Sequence, residues 1–85
     1  MKQIYNSIKA APEYPEDFQP VQNGTRKLNI KNKLLLEELR KVEPGEWNKV
    51  YKDGYSGGSE VSIHYFESKS GRVFDLKVKS GWSNQ

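Results

Sequence analysis

The chain contains a single histidine, His64, which lies in a run of alternating apolar and polar residues that is typical of a β-strand. Turn-forming residues at 68–71 and a second alternating run complete the pattern of a β-hairpin. One face of this hairpin would combine an imidazole with hydroxyl, aromatic, carboxylate and ammonium groups, from Ser62, Phe66, Asp75, Lys77 and Lys79. Because imidazole exchanges protons near neutral pH and lysines bind anions, this combination is suited to cleaving a phosphodiester.

The register of the hairpin decides whether His64 lies on that polar face. A two-residue or a four-residue loop places His64 opposite Asp75 and keeps the more apolar side chains together on the other face. A three-residue loop with a glycine bulge at Gly71 would shift the pairing by one residue and place His64 opposite Leu76, on the core side. We prefer the first register because it buries the more apolar set of side chains.

Each of these side chains has a functional interpretation and a structural one. As a catalytic set, His64 would act as general acid or base, and Lys77 and Lys79 would bind the scissile phosphate. Asp75 would either orient the imidazole or pair with a lysine across the strands. Substrate would be bound by hydroxyl hydrogen bonds and ring stacking from a further group: Ser62, Phe66, Ser80 and Trp82. The structural alternative is that the lysines form a solvated strand face and that Trp82 closes a small core.

Composition limits the classes of protein to which the chain can belong. With 85 residues it has room for one small domain, and without cysteine it has neither disulfides nor thiolate metal sites. One histidine and no carboxylate cluster with ligand spacing predict that neither a metal nor another cofactor is needed. No apolar run is long enough to predict a signal peptide or a membrane span. The net charge of +3, concentrated after residue 25, favours an anionic partner such as nucleic acid.

The elements that must position the candidate residues are predicted from periodicity and turn signals. A short helix is expected over 2–11, followed by an extended strap that its prolines keep out of a helix. Asn32 is a good N-cap for a helix that carries leucines at helical spacing. Residues 46–55 predict a strand, and 56–59 predict a flexible connector to the hairpin.

Together these elements predict a single α+β domain over residues 1–85. It comprises a short helix and proline-rich strap (1–31), a helix (32–43), an antiparallel sheet (46–79) and a tail (80–85). The N-terminal helices would pack on one face of the antiparallel β-sheet meander. The opposite face, which carries His64, would be left open.

Several segments resemble the C-terminal toxin domains of bacterial polymorphic toxins, of the LXG type and of related contact-dependent inhibition effectors. The matching segments cover nearly the whole chain: 43–47, 49–54, 61–66 and 71–84, with Tyr14-Pro15, Phe18 and 21–25 upstream. The resemblance implies the fold group that unites barnase, EndoU, colicin tRNases and RelE. On the predicted open face the chain lacks an obvious counterpart of the glutamate base of barnase, so the acid and base roles of barnase are not carried over.

The resemblance also implies a function and partners. The chain would be a metal-independent endoribonuclease that forms part of a larger secreted effector and acts on RNA, tRNA included, in the cytoplasm of a target cell. A cognate immunity protein would neutralise it. Two alternatives stay open: a non-catalytic module that binds RNA or protein through a basic sheet face, and a metal-dependent DNase.

Overall fold

The computed structural model describes residues 8–82, which form a small α+β domain with one four-stranded antiparallel sheet and one helix. The elements in chain order are β1 (Gln19–Asn29), α1 (Lys33–Val42), β2 (Trp47–Ser56), β3 (Ser59–Ser68) and β4 (Val73–Ser80). The strands lie side by side in the same order as in the chain, so neighbouring strands are also consecutive in sequence. The predicted α+β class and the antiparallel order of consecutive strands are therefore confirmed. The predicted extent of the sheet, 46–79, is wrong, because β1 pairs with β2 and adds a fourth strand from the segment 1–31 that was predicted as a helix and strap.

Helix α1 follows the capping pattern of its sequence. The Asn32 Oδ1 atom accepts a hydrogen bond of 3.1 Å from the backbone N–H of Leu35, which would otherwise lack a partner in the first turn. Leu35 and Leu39 are buried against Trp47, the first residue of β2. The helix ends at Val42, just before Glu43 and a proline that cannot continue it.

The sheet buries apolar side chains on both of its faces. On the face that we call the helix face, α1 packs on Trp47, Phe66 and Phe74. On the other face, the strap face, the buried cluster is Val50, Ile63, Tyr65 and Val73, and the segment 12–18 covers it with the rings of Tyr14 and Phe18. A chain of this size thus covers each face with a different segment.

The helix packs on the same face of the sheet as His64, and the prediction that it covers the opposite face is wrong. His64 and Phe66 alternate along β3 on one face, and Phe66 packs against the helix cluster. The short connection from α1 to Trp47 holds the helix at one end of this face. His64 therefore lies half-buried near the helix instead of on a fully open surface.

The N-terminal helix predicted over 2–11 is absent from the part of it that the structure describes. Lys9 pairs with Val73 at the edge of β4 through two backbone hydrogen bonds of 2.8 and 2.9 Å. The edge of a sheet presents unpaired N–H and C=O groups, and an extended segment satisfies them where a helix could not. The rest of the predicted helix, and residues 83–85 of the predicted tail, lie outside the described residues.

The predicted flexible connector at 56–59 is a tight hairpin turn. Gly57 and Gly58 have φ values of 60° and 79°, the positive values that a two-residue turn between twisted strands requires. The Asp17 carboxylate of the strap binds this turn, accepting bonds of 2.6 Å from the backbone N–H of Gly57 and from the hydroxyl of Ser56. The strap therefore holds the first half of this turn.

The pairing of β3 with β4 differs from the preferred register. The turn over 69–71 is closed by a bond of 2.9 Å from Ser68 N–H to the Arg72 carbonyl, and Gly71 has a φ of 99°. This is the glycine-bulge turn considered as the alternative, and it places Phe66 opposite Phe74. The register that we preferred is therefore wrong by one residue at the turn.

A second bulge, at Asp75, returns the side chains of Lys77 and Lys79 to the face that carries His64. Asp75 adopts a left-handed conformation with a φ of 57°, and the pairing shifts by one further residue at this point. Beyond the bulge His64 lies opposite Lys77, and Ser62 lies opposite Lys79. Because side chains alternate with a period of two, the two shifts together keep both lysines on the same face as His64. The prediction that Asp75 lies opposite His64 is therefore wrong.

The end of α1 is tied to the turn between β3 and β4 by Glu43. Its carboxylate accepts hydrogen bonds from the Ser68 hydroxyl at 2.7 Å, from the Ser70 hydroxyl at 2.5 Å and from the Ser70 backbone at 3.2 Å. The bonds from Ser70 and then Ser68 hold the pKa of Glu43 below its ordinary value. These contacts join the helix to the strands that carry His64 and the lysines.

Candidate active site

A shallow cavity of about 320 Å³ opens on the helix face beside α1, and we call it the His64 cavity. It brings together most of the residues that the sequence singled out: His64, Phe66, Asp75, Lys77 and Lys79. Lys49 of β2 and Leu35 of α1 also line it. The hairpin and β2 supply the titratable groups, and the helix supplies one apolar side.

The imidazole of His64 is held in place by its neighbours on β3 and β2. Its Nε2 atom lies 2.9 Å from the hydroxyl of Ser62, which is fully buried. Its ring lies 4.5 Å, centroid to centroid, from the ring of Tyr51, the residue directly opposite in the register. Ser62, which the sequence proposed as a substrate ligand, contacts the imidazole and is not accessible to solvent.

The surroundings of His64 favour its neutral form. Burial is the largest cause that lowers the pKa of His64 from its ordinary value, followed by the positive charges of Lys79 and Lys49 and, more weakly, of Arg26. The buried carboxylate of Asp53 opposes this effect only in part. The lowered pKa favours the neutral imidazole at pH 7, which is the state that a general base needs.

Basic side chains of three strands surround the imidazole. Lys77 and Lys79 come from β4, as the sequence proposed, whereas Lys49 and Arg26 come from β2 and β1. The Lys49 Nζ atom lies 5.4 Å from the centre of the Tyr51 ring, and the Arg26 guanidinium lies 5.1 Å from it. These cations share the helix face, so an anionic group entering the His64 cavity would meet positive charge from several sides.

The sequence analysis missed the residues that β1 and β2 contribute. Lys49, Tyr51 and Arg26 become neighbours of His64 only through the pairing of β1 with β2 and of β2 with β3. The alternation of Lys49, Tyr51 and Asp53 around the apolar Val50 was a usable signal. This alternation indicates that Lys49, Tyr51 and Asp53 share one face of β2, but it does not indicate that His64 lies on the same face of the sheet.

Asp75 pairs with a lysine and not with the imidazole. Its carboxylate Oδ2 lies 3.4 Å from the Nζ of Lys77, a neighbour on the same strand. Of the two alternatives that the sequence left open, the structure therefore shows a lysine partner, although across the bulge and not across the strands. The charge of Lys77 is partly balanced in this way, and Lys79 is the nearby cation with the larger effect on His64.

Ser80 and Trp82 lie away from the His64 cavity. Ser80 is exposed at the last position of β4, opposite Val61. The indole N–H of Trp82 donates a bond of 2.9 Å to the carbonyl of Gly54, and its ring meets that of Tyr55 edge-on at 5.5 Å. In this position Trp82 closes the end of the sheet near the turn between β2 and β3.

Neither a metal site nor a membrane helix is found in the part of the chain that the structure describes. Within residues 8–82, no group of three or more His, Asp or Glu side chains could hold a metal ion. No helix in the same range is long and apolar enough to cross a membrane. The polar groups that line the His64 cavity include an imidazole, a carboxylate and three ammonium groups.

No protein-family model, curated protein or solved structure matches this chain significantly.

Proposed function

We propose that the chain is a metal-independent endoribonuclease with His64 at its centre. The observation that carries this proposal is a half-buried imidazole with a lowered pKa, held by Ser62 and Tyr51 and surrounded by basic side chains. A neutral imidazole accepts a proton, and the cations beside it stabilise a phosphate on which negative charge develops. RNA offers both groups side by side: a 2′-hydroxyl whose proton the imidazole can accept, and an adjacent phosphate that the cations can stabilise.

The proposed reaction is an attack of the 2′-oxygen on the adjacent phosphorus. His64 takes the proton of the 2′-hydroxyl, a bond forms between the 2′-oxygen and phosphorus, and the bond to the 5′-oxygen breaks. The leaving 5′-oxygen takes a proton from a neighbouring ammonium group or from solvent. Lys49, Lys77 and Lys79 would stabilise the charge on the phosphoryl oxygens. The products are a 2′,3′-cyclic phosphate and a free 5′-hydroxyl.

The biological role that we propose is that of a toxin domain of an interbacterial competition effector. It would have the fold of the barnase, EndoU, colicin and RelE group, act in the cytoplasm of a target cell and be neutralised by an immunity protein. The sequence resemblance supports this role, and the α+β arrangement with an antiparallel sheet is compatible with it. An inhibitor that covers the cations around His64 would be expected to carry acidic residues.

A non-catalytic RNA-binding module is the second candidate. It is favoured by the cations that lie over aromatic rings on the helix face, since Arg26 and Lys49 are both close to Tyr51. Such surfaces bind single strands without cutting them. The metal-dependent DNase is supported less well, because the described residues offer no ligand set for a metal ion.

The test is to incubate the purified protein with total bacterial RNA in excess EDTA and to sequence the ends of the fragments. We expect discrete fragments with cyclic phosphate ends, and a rate that falls by about 10²–10⁴-fold in His64→Ala, the usual contribution of a general base. Circular dichroism shows whether the variant is folded. Lys69→Met is the control, because Lys69 lies in the turn over 69–71, outside the His64 cavity.

The proposal is wrong if folded His64→Ala cuts RNA as fast as the original protein. Intact RNA that nevertheless binds the folded protein would favour the binding module. A parallel incubation with DNA and magnesium, with and without EDTA, tests the DNase alternative.

A further inference from the structure

A second cavity adjoins the His64 cavity on the helix face, and we call it the β1–α1 groove. It lies between the end of β1 and the start of α1 and has a volume of about 640 Å³. Its walls include Leu28, Asn29, Asn32 and Tyr51, and it shares Lys49 and Phe66 with the His64 cavity. A ligand could therefore extend from one cavity into the other.

We propose that the β1–α1 groove binds a nucleobase of single-stranded RNA whose phosphate lies in the His64 cavity. This inference rests on the proposed ribonuclease function and names the part of the substrate that the groove would recognise. The chemistry of its floor, its rim and its charges supports this occupant.

The floor of the groove is aromatic and apolar. Phe66 lies at its boundary with the His64 cavity, and Tyr51 lines the groove beside the His64 ring. The Lys49 Nζ atom lies 5.3 Å from the centre of the Phe66 ring and 5.4 Å from that of the Tyr51 ring. Leu28 is directly opposite Lys49 in the register and is 46% exposed, so the fold itself leaves this apolar side chain uncovered. Rings and an uncovered leucine provide a surface on which the flat face of a base can stack.

The rim of the groove carries hydrogen-bonding amides. Asn29 is exposed at the end of β1, and Asn32 caps the helix through its Oδ1 atom, which leaves the Nδ2 group as the one that can donate to a ligand. Amide side chains match the donors and acceptors on the edges of bases. These edges are free in single-stranded RNA, whereas in an RNA duplex they are paired.

The charges around the groove fit a nucleic acid strand. Its lining includes Lys31 and Lys49 and no acidic residue. Lys49 stands at the junction, where the sugar–phosphate backbone would pass from the groove towards His64. The base would stack on the aromatic and apolar side of the groove, and the phosphate would lie near the cations.

The test uses two fluorescent 2′-O-methyl RNA hexamers, which cannot be cleaved through the 2′-oxygen. One carries all its bases, and the other has the same backbone without any base. Fluorescence anisotropy measures their affinities, and we expect the complete hexamer to bind about tenfold more tightly, as one stacked base would provide. Leu28→Ser should reduce this ratio to about threefold or less and leave the affinity for the hexamer without bases unchanged.

Leu34→Ser is the matched control. Leu34 is 76% exposed on α1 and does not line the groove, so the same exchange there should leave both affinities unchanged. Asn29→Ala, a second exposed position in the groove, should also lower the ratio. Equal affinities of the original protein for the two hexamers, or equal effects of the changes at Leu28 and Leu34, would overturn the inference.

The assay of RNA cleavage is carried out on the same protein, so the two proposals can fail separately. Cleavage without any preference for the complete hexamer would refute the groove and keep the ribonuclease. A preference that Leu28→Ser removes, in a protein that cuts no RNA, would refute the ribonuclease and keep the groove as a site for single-stranded RNA.

Discussion

The contact between helix and sheet should depend strongly on Leu39. This side chain is 0% exposed and packs with Leu35 and Trp47 between α1 and the helix face. Leu39→Ala removes three carbon atoms from this contact. The neighbouring residues can fill the space only in part, because the C-terminal end of α1 is tied to the turn between β3 and β4 by the contacts of Glu43.

The expected loss of stability follows from the size of the removed group. Three buried carbons correspond to about 2.4 kcal/mol of transfer free energy, at about 0.8 kcal/mol for each carbon. The cavity that remains adds to this value, and measured Leu→Ala exchanges at buried sites cost about 2.7–5 kcal/mol. A chain of 85 residues typically has about 4–13 kcal/mol of stability in total, so a large share would be lost.

Urea denaturation followed by circular dichroism measures this loss. Leu34→Ala is the control because it is the same exchange on the same helix at a position that is 76% exposed. It should change the free energy of unfolding by no more than about 0.5 kcal/mol. Leu35 borders both cavities, so Leu39→Ala, by loosening the helix, should also weaken the binding of the complete hexamer.

Similar losses for the two exchanges would refute this account of the packing. They would mean that α1 does not contribute a buried face to the sheet. A loss below about 1 kcal/mol for Leu39→Ala would lead to the same conclusion.

Two predictions concern pH. Because burial and Lys79 lower the pKa of His64, the midpoint of the acid limb of the cleavage rate should lie below the ordinary histidine pKa of 6.5. Lys79→Gln should raise that pKa and move the limb to higher pH, whereas Lys69→Gln should not; an unmoved limb in Lys79→Gln would contradict the proposed electrostatics. Glu43, whose pKa is lowered by Ser70 and Ser68, should stabilise the fold in full above its ordinary pKa of 4.5 and lose this effect as pH falls through the lower pKa of the folded state. Glu43→Gln should therefore lower the urea midpoint at pH 7 and differ less from the original protein in acid, and a difference that stays constant from neutral to acidic pH would contradict this.

Local signals in the sequence were enough for α1 and the outlines of β2, β3 and β4. The cap at Asn32, the leucine spacing and the proline after Glu43 act within one or two helical turns. Strand alternation likewise depends on neighbouring residues. The same signals failed for 8–11 and for the turn at 56–59, where pairing with β4 and the hydrogen bonds from Asp17 determine the conformation.

The candidate site was predictable in part for the same reason. Alternation identified His64 and the β4 lysines as side chains that can share a face, and the structure places them in one cavity. The register that connects them was not predictable, because it depends on two bulges whose shifts add. One is at Gly71, where glycine signals a positive φ. The other is at Asp75, a residue type that adopts this conformation less often, so the sequence carries only a weak signal.

By itself, the sequence determined α1, the outlines of β2, β3 and β4, and which side chains of β3 share a face. Only the tertiary structure decided which face the helix covers and which cations reach His64. Both faces carry apolar side chains, and the choice between them was made by packing on Trp47, whose indole N–H donates a bond of 2.9 Å to the Glu43 carbonyl. Lys49 and Tyr51 reach His64 through pairing between strands, and such contacts depend on register, which alternation along a single strand cannot specify.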